Sequence, residues 1–213
     1  MTTWIKQFIQ LSQPADGRVP PVFKPHQVAV ALVLIGRGQP LGRYELRDKM
    51  SIGEGSTRTL LKRLTESGYI TAEGRQGQKL TVKGQDLFSA ISKDIPIGLV
   101  LAVEPLVMYG VAYANLVKSK AHLVTDGIRQ RDEAIIQGGY GKAGATTIIH
   151  KNGFLLMPPD DFNILPVYED ETLLIVDSLR TEENDVVVIG SADNESLARE
   201  VSMAAVMTLF EED

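Results

Sequence analysis

The stretch from Gly42 to Lys83 constrains the fold most, because its periodicity changes repeatedly and each change carries its own stop signal. Arg43 to Met50 reads as a short helix with Tyr44 and Leu46 as its apolar contacts. Ser51-Ile52-Gly53 makes a tight turn, and Glu54 to Ser67 is a second helix. In that helix Leu60, Leu61 and Leu64 share one face, while Ser56, Thr59, Lys62, Arg63 and Glu66 lie on the other. Such a division marks one buried and one solvated stripe. Gly68 suits the left-handed position that ends a helix. Tyr69 to Glu73 and Lys79 to Val82 then read as two strands, joined by Gly74-Arg75-Gln76-Gly77-Gln78.

The flanks add helices. Thr2 to Ser12 forms an amphipathic helix with Trp4, Ile5, Phe8, Ile9 and Leu11 near one stripe. Pro14 to Pro25 reads as a connector. His26 to Ile35 is an almost wholly apolar, hence buried, helix that Gly36-Arg37-Gly38-Gln39-Pro40 ends. Lys83-Gly84 leads into a last helix, Gln85 to Ser92, with Leu87, Phe88 and Ile91 facing inward.

Two segments carry a family resemblance. Ser56-Thr57-Arg58-Thr59-Leu60-Leu61-Lys62-Arg63-Leu64-Thr65-Glu66-Ser67-Gly68-Tyr69-Ile70 looks like a recognition helix running into a wing strand. Leu80-Thr81-Val82-Lys83-Gly84 is similar to the Leu-Thr-x-x-Gly ending of the second wing strand. At this mutual spacing the chain resembles winged helix-turn-helix transcriptional regulators of the MarR, PadR and DtxR kind. The resemblance implies a DNA-binding head over residues 1–93 and a separate domain over 94–213. The second half is similar in general look to uncharacterised domains fused behind winged helices in archaeal proteins, which implies no activity.

Charge agrees with that division. Residues 1–93 hold 14 Lys and Arg against 7 Asp and Glu, net +7, and residues 94–213 hold 8 against 20, net −12. A basic half joined to an acidic one is the pattern expected when only one half meets a polyanion. With no cysteine in the chain, disulfides, thiolate metal sites and cysteine nucleophiles are excluded. Met1 to Gln10 lacks the pattern of a secretory signal, so a cytoplasmic protein is expected. Ile95 to Val117 is nearly continuous in apolar residues, yet Glu104 and Pro105 stand at its middle. A carboxylate at a bilayer centre costs roughly 2.5–3.5 kcal/mol, so two buried strands, Ile97 to Val103 and Leu106 to Asn115, are expected instead of a membrane span.

Specific readout of B-DNA needs Arg, Lys, Asn, Gln, Ser or Thr at base edges. The first residues of a recognition helix meet the bases and the later ones the backbone. Ser56, Thr57, Arg58 and Thr59 are therefore assigned to the major groove, and Lys62 and Arg63 to phosphates. The basic, amide-rich wing tip, with Arg75, Gln76 and Lys79, suits a minor groove or nearby phosphates. Double-stranded DNA is the expected partner. A homodimer spanning two half-sites is expected with it, with Trp4 and Phe8 or the second domain as dimer surface.

In the second half, Asp126 to Gln137 reads as a helix with Ile128, Ala134 and Ile135 inside. Ala145 to His150 and Phe154 to Met157 are strands about the hairpin signal Lys151-Asn152-Gly153. Leu173 to Val176 and Val186 to Ile189 are two further strands, and Glu195 to Phe210 is a closing helix with the stripe Leu197, Val201, Ala205, Leu209. The fold class is α+β: a winged helix-turn-helix followed by a mixed α/β domain.

Gly139-Tyr140-Gly141-Lys142-Ala143-Gly144 matches G-x-G-x-x-G, but a helix precedes it and a strand follows, the reverse of a dinucleotide site. The loop is either a plain turn or a ligand-facing one. In the second case Arg129, Arg131, Gly139, Gly141 and Lys142 would hold an acidic small-molecule effector. His26, His122 and His150 share no ligand spacing, so no metal and no cofactor is expected. The acidic clusters Asp160-Asp161, Glu169-Asp170-Glu171 and Glu182-Glu183 read as solvated surface, and no nucleophile has a partner set, so no catalytic residue is expected. The competing reading is an enzyme, or an RNA- or protein-binding adaptor, whose activity lies in the α/β half.

Overall fold

The computed structural model describes residues 3–14 and 21–211. Most of the expected connector, residues 15–20, lies outside the described residues, as does Thr2 of the first helix. The chain divides into two compact units, the first ending at Ile91 and the second beginning at Ser92. Among the described residues no helix is long and apolar enough to cross a membrane.

The first unit runs α1 (Thr3–Ser12), α2 (Pro25–Gly38), α3 (Arg43–Asp48), α4 (Glu54–Glu66), β1 (Ile70–Ala72), β2 (Gln78–Leu80) and α5 (Val82–Asp94), whose last three residues already count with the second unit. The strands pair antiparallel with Ile70 opposite Leu80, and Leu41 adds a bridge to Gln78. This is the element order of a winged helix-turn-helix. Leu32 and Ile35 of α2, Leu46 of α3, Leu60 and Leu64 of α4, Ile70 and Ile91 are fully buried. Each amphipathic stripe thus closes on one core.

Several local expectations are corrected. The second helix does not stop at Ile35. It continues through Gly36, where a side chain would collide with the Phe88 ring (Cβ to Cδ2 2.6 Å), so the glycine serves close packing rather than a turn. Val82 belongs to α5, not to the wing strand, because Thr81 caps that helix: its Oγ1 accepts from Gly84 N at 3.1 Å. Tyr44 is no apolar contact; it is 57% exposed and lies under the Arg43 guanidinium at 4.7 Å and that of Arg47 at 5.4 Å. Trp4 and Phe8 offer no dimer surface, since both are buried, edge to face with ring centroids 6.0 Å apart, where α1 packs on α2.

The second unit is a six-stranded, wholly antiparallel sheet in the order β3-β4-β8-β5-β6-β7. Its strands are β3 (Gly98–Leu101), β4 (Val111–Val117), β5 (Ala143–Lys151), β6 (Phe154–Met157), β7 (Phe162–Asn163) and β8 (Val186–Ala192). Strand β8 is buried along its whole length, so it reads as an apolar run rather than an alternation. Helices α6 (Ile128–Gly138) and α8 (Glu195–Met207) pack on one face. On the other, Ile175 and Leu179 of α7 (Glu169–Leu179) join Leu116, Ile148, Val187 and Ile189 in a core cluster. Ser202 fastens α8 to the sheet: its hydroxyl accepts from Asn115 Nδ2 at 2.8 Å and donates to Val188 O at 3.0 Å.

Leu173 to Val176 is helix, not strand. The triplet Glu169, Asp170, Glu171 occupies the first turn of α7, where carboxylates favour the helix dipole, and burial at Thr172, Ile175 and Leu179 has helical spacing. Leu106 to Gly110 is likewise not strand: a single 3-10 turn at Glu104–Leu106 precedes β4, which starts at Val111. In α6 Gln130 and Ala134 are buried, with Gln130 Nε2 donating to Thr208 Oγ1 at 2.8 Å, while Ile128 is 44% exposed. The hairpin at Asn152-Gly153 forms as expected, both residues having positive φ and Lys151 facing Phe154.

Candidate nucleic-acid interface

Helix α4 is amphipathic by sequence, and its rotation in the unit decides which polar residues reach outward. With Thr57, Leu60, Leu61 and Leu64 buried, the helical repeat points Gly55, Thr59, Lys62 and Glu66 straight out. Arg58 and Thr65 lean to one flank, Ser56 and Arg63 to the other.

The first flank faces the wing. Arg58, Lys62 and Thr65 join Arg43 and Tyr44 of α3 and Arg75 of the wing around one concave surface of about 530 Å³. Its cations are held lightly. Arg58 pairs with Glu54 at 3.4 Å, Lys62 with Glu66 at 3.7 Å and Arg43 with Glu54 at 3.8 Å, all substantially exposed. Exposed pairs of this kind are worth about 0–1 kcal/mol, so a phosphate can replace the carboxylate at little cost. Gln76 is exposed at the wing tip, and Lys79 Nζ is held by Glu73 at 2.7 Å.

Two residues assigned to DNA are used elsewhere. Thr57 is 0% exposed and its hydroxyl donates to Gly53 O at 3.2 Å, so it cannot meet a base edge. Arg63 is not a phosphate anchor. It donates to Leu11 O at 2.8 Å and to Gln13 O, and its guanidinium lies 5.8 Å from the Phe23 ring centroid. The carbonyls at the end of α1 thus find their donor in α4. Arg63→Ala is expected to cost the first unit roughly 1.5–3 kcal/mol through lost charge-assisted hydrogen bonds, read as a lower urea midpoint. Ser56 remains half-exposed on the α1 side, and Thr59 Oγ1 donates back to Gly55 O at 3.0 Å. Sequence reasoning missed Arg43 and Tyr44. The signal available was a cation next to an aromatic residue that the apolar stripe did not need.

The proposed effector residues of the second unit do not form one site. Arg129 is paired with Glu211 at 2.7 Å and Arg131 with Asp132 at 3.0 Å, both at the start of α6. Gly139, Gly141 and Lys142 follow the other end of that helix, about 1.5 Å per residue away along its axis. Gly139 and Gly141 have φ of +99° and +73°, so a backbone turn accounts for both. Lys142 is exposed beside them.

The acidic clusters have structural partners as well. Asp161 pairs with Lys151 at 2.8 Å, and Lys118 binds both Glu182 at 2.8 Å and the buried Asp185 at 2.7 Å. Glu183 accepts the N–H groups of Asn152 and Gly153, and those bonds hold its pKa below the ordinary glutamate value.

Each unit has its own relative. Residues 27–86 match a family described as "PH0730-like, N-terminal domain", and residues 109–209 match a domain of unknown function, DUF4443. Each match falls within one of the two units. Among solved structures the chain is similar to the hypothetical protein PH0730 from Pyrococcus horikoshii OT3, with a TM-score of 0.73 and 25% identity over 90% of this chain and 95% of that one. No curated protein matches the chain.

Proposed function

We propose that the first unit binds double-stranded DNA, with α4 in the major groove and the wing against the adjoining backbone, and that the chain is a cytoplasmic transcriptional regulator of the winged-helix kind. The observation that carries this reading is the convergence of Arg43, Arg58, Lys62 and Arg75 on the concave surface between α3, α4 and the wing. Cations on one concave face raise the local attraction for a polyanion and release counterions when phosphates replace them. Arg58, on the first turns of α4 and 66% exposed, is the base reader; Thr59 is its neighbour, and Lys62 and Arg75 anchor phosphates. A homodimer would place two such helices on half-sites about one DNA turn apart.

Selection of bound duplexes from a random pool by the full chain tests this assignment. Arg58→Ala is expected to cost about 1–3 kcal/mol on the selected site and to relax preference at one base position. Lys62→Ala is expected to weaken all duplexes alike. If Arg58→Ala retains the same preference at every position, the reader is misassigned.

A further inference from the structure

Strand β5 is left without a neighbour along part of one edge, and the gap is a lined cleft. In an antiparallel sheet the N–H and C=O of one residue point to the same side, and sides alternate. His150 exchanges backbone bonds with Asp185 and Asn184 on the β8 side, whereas Ile149 and Lys151 face β6. Thr147 and Ala145 therefore point the same way as Ile149. Pairing with β6 stops at Ile149, since the residue that would next face Thr147 in this register is Pro158, which has no N–H. Among the described residues no strand satisfies the outward groups of Ala145 and Thr147.

The cleft beside this edge has a volume of about 220 Å³, below the range of drug-sized pockets. Its other walls are the N-terminus of α6 and the end of β6 at Met157 and Pro158. The Thr147 side chain, 4% exposed, forms part of the wall below Gly127, and among the described residues its hydroxyl has no hydrogen-bond partner. Buried hydroxyls are nearly always satisfied, so this one points to an absent partner. The charges at the mouth are of both signs. Asp126 uses Oδ1 to cap Ile128 N at 2.9 Å, and the Arg131 guanidinium makes an exposed pair with Asp132.

We propose that this cleft binds a single free α-amino acid. The ammonium group meets Asp126, and the carboxylate meets Arg131 and the positive end of α6. The unpaired edge of β5 and the Thr147 hydroxyl add further hydrogen bonds to these two groups, and Met157 and Pro158 take the side chain. The proposal concerns the second unit alone and does not depend on DNA binding by the first.

Titration calorimetry of the full chain with each of the twenty free L-amino acids tests it, alongside their N-acetyl amides, the corresponding amines, acetate and phosphate. At least one free amino acid is expected to bind saturably, and its acetyl amide and amine at least ~10-fold more weakly. Arg131→Gln and Asp126→Asn are each expected to lower that affinity ~10-fold or more, asparagine keeping the helix cap. Thr147→Val is expected to weaken binding while leaving the thermal midpoint of the unliganded protein unchanged or higher, because it removes an unsatisfied group without changing shape. Absence of binding by all twenty overturns the proposal. So does equal binding of acetyl amides, which would indicate an extended peptide on the strand edge, or binding of acetate and phosphate alone, which would indicate a simple anion site. Binding that all three variants leave unchanged overturns it too.

Discussion

Replacing Gly84 with alanine is expected to destabilise the first unit strongly. A Cβ at Gly84 would stand 1.9 Å from the carbonyl oxygen of Tyr69 and 3.3 Å from Leu80 Cδ2. That carbonyl cannot simply move, because it accepts Thr81 N–H at 3.0 Å, and Thr81 in turn caps α5 through Gly84 N. One methyl group therefore strains the start of the wing, its end and the helix that follows. Overpacking of this kind costs typically 1–3 kcal/mol, and with backbone on the receiving side about 3–5 kcal/mol is expected. Trp4, the chain's one tryptophan, is buried in the same unit, so its fluorescence reports this transition in urea. Gly53→Ala is the control: its Cβ meets nothing within 4 Å, and a loss under about 1 kcal/mol is expected at this N-cap position. Equal midpoints for the two variants would show that the close approach at Gly84 has been misread.

The second large effect is acid sensitivity of the same unit. His26, second in α2 and 6% exposed, has its pKa lowered to about 3, chiefly by burial and further by Lys24. The folded unit thus keeps the imidazole neutral where the unfolded chain, with its pKa near 6.5, takes up a proton. Between those values the unfolded state binds more protons, so stability rises with pH. The stabilisation is whole above pH 6.5 and falls by about 1.4 kcal/mol per unit as pH drops through the window, reaching about 4–5 kcal/mol near pH 3. Urea midpoints followed by Trp4 from pH 7.5 to 4.5 should show this slope, and His26→Leu should flatten it. A wild-type midpoint level down to pH 5 would mean that His26 protonates within the fold.

The same residues show what could be read beforehand. Leu80-Thr81-Val82-Lys83-Gly84 was legible as a strand ending because its threonine cap and its glycine act locally, within one turn. The leucine stripe of α4 was legible for the same reason. Arg63 was not, since its partners Leu11 and Gln13 are far away in the chain and an exposed phosphate ligand has the same spacing. Thr57 completes an i, i+3, i+4, i+7 stripe with Leu60, Leu61 and Leu64, so its burial was legible too, and its assignment to a base edge followed only its place near the start of the helix. Leu173-Leu174-Ile175-Val176 has no period of its own, so only the preceding acidic triplet could have identified a helix. The cleft beside β5 depends on where pairing with β6 ends, a non-local fact that motif spacing does not encode.

On the proposed reading, the concave face between α3, α4 and the wing meets the DNA backbone. Binding of the full chain to a labelled duplex across a salt series checks this. With Arg43, Lys62 and Arg75 each replacing a counterion, log K is expected to fall linearly with log salt at a slope of about −3. Lys62→Ala combined with Arg75→Ala is expected to make that slope shallower by about two, with Trp4 fluorescence showing the first unit still folded. No duplex binding even at low salt, or a slope that the double variant leaves unchanged, would contradict the assignment.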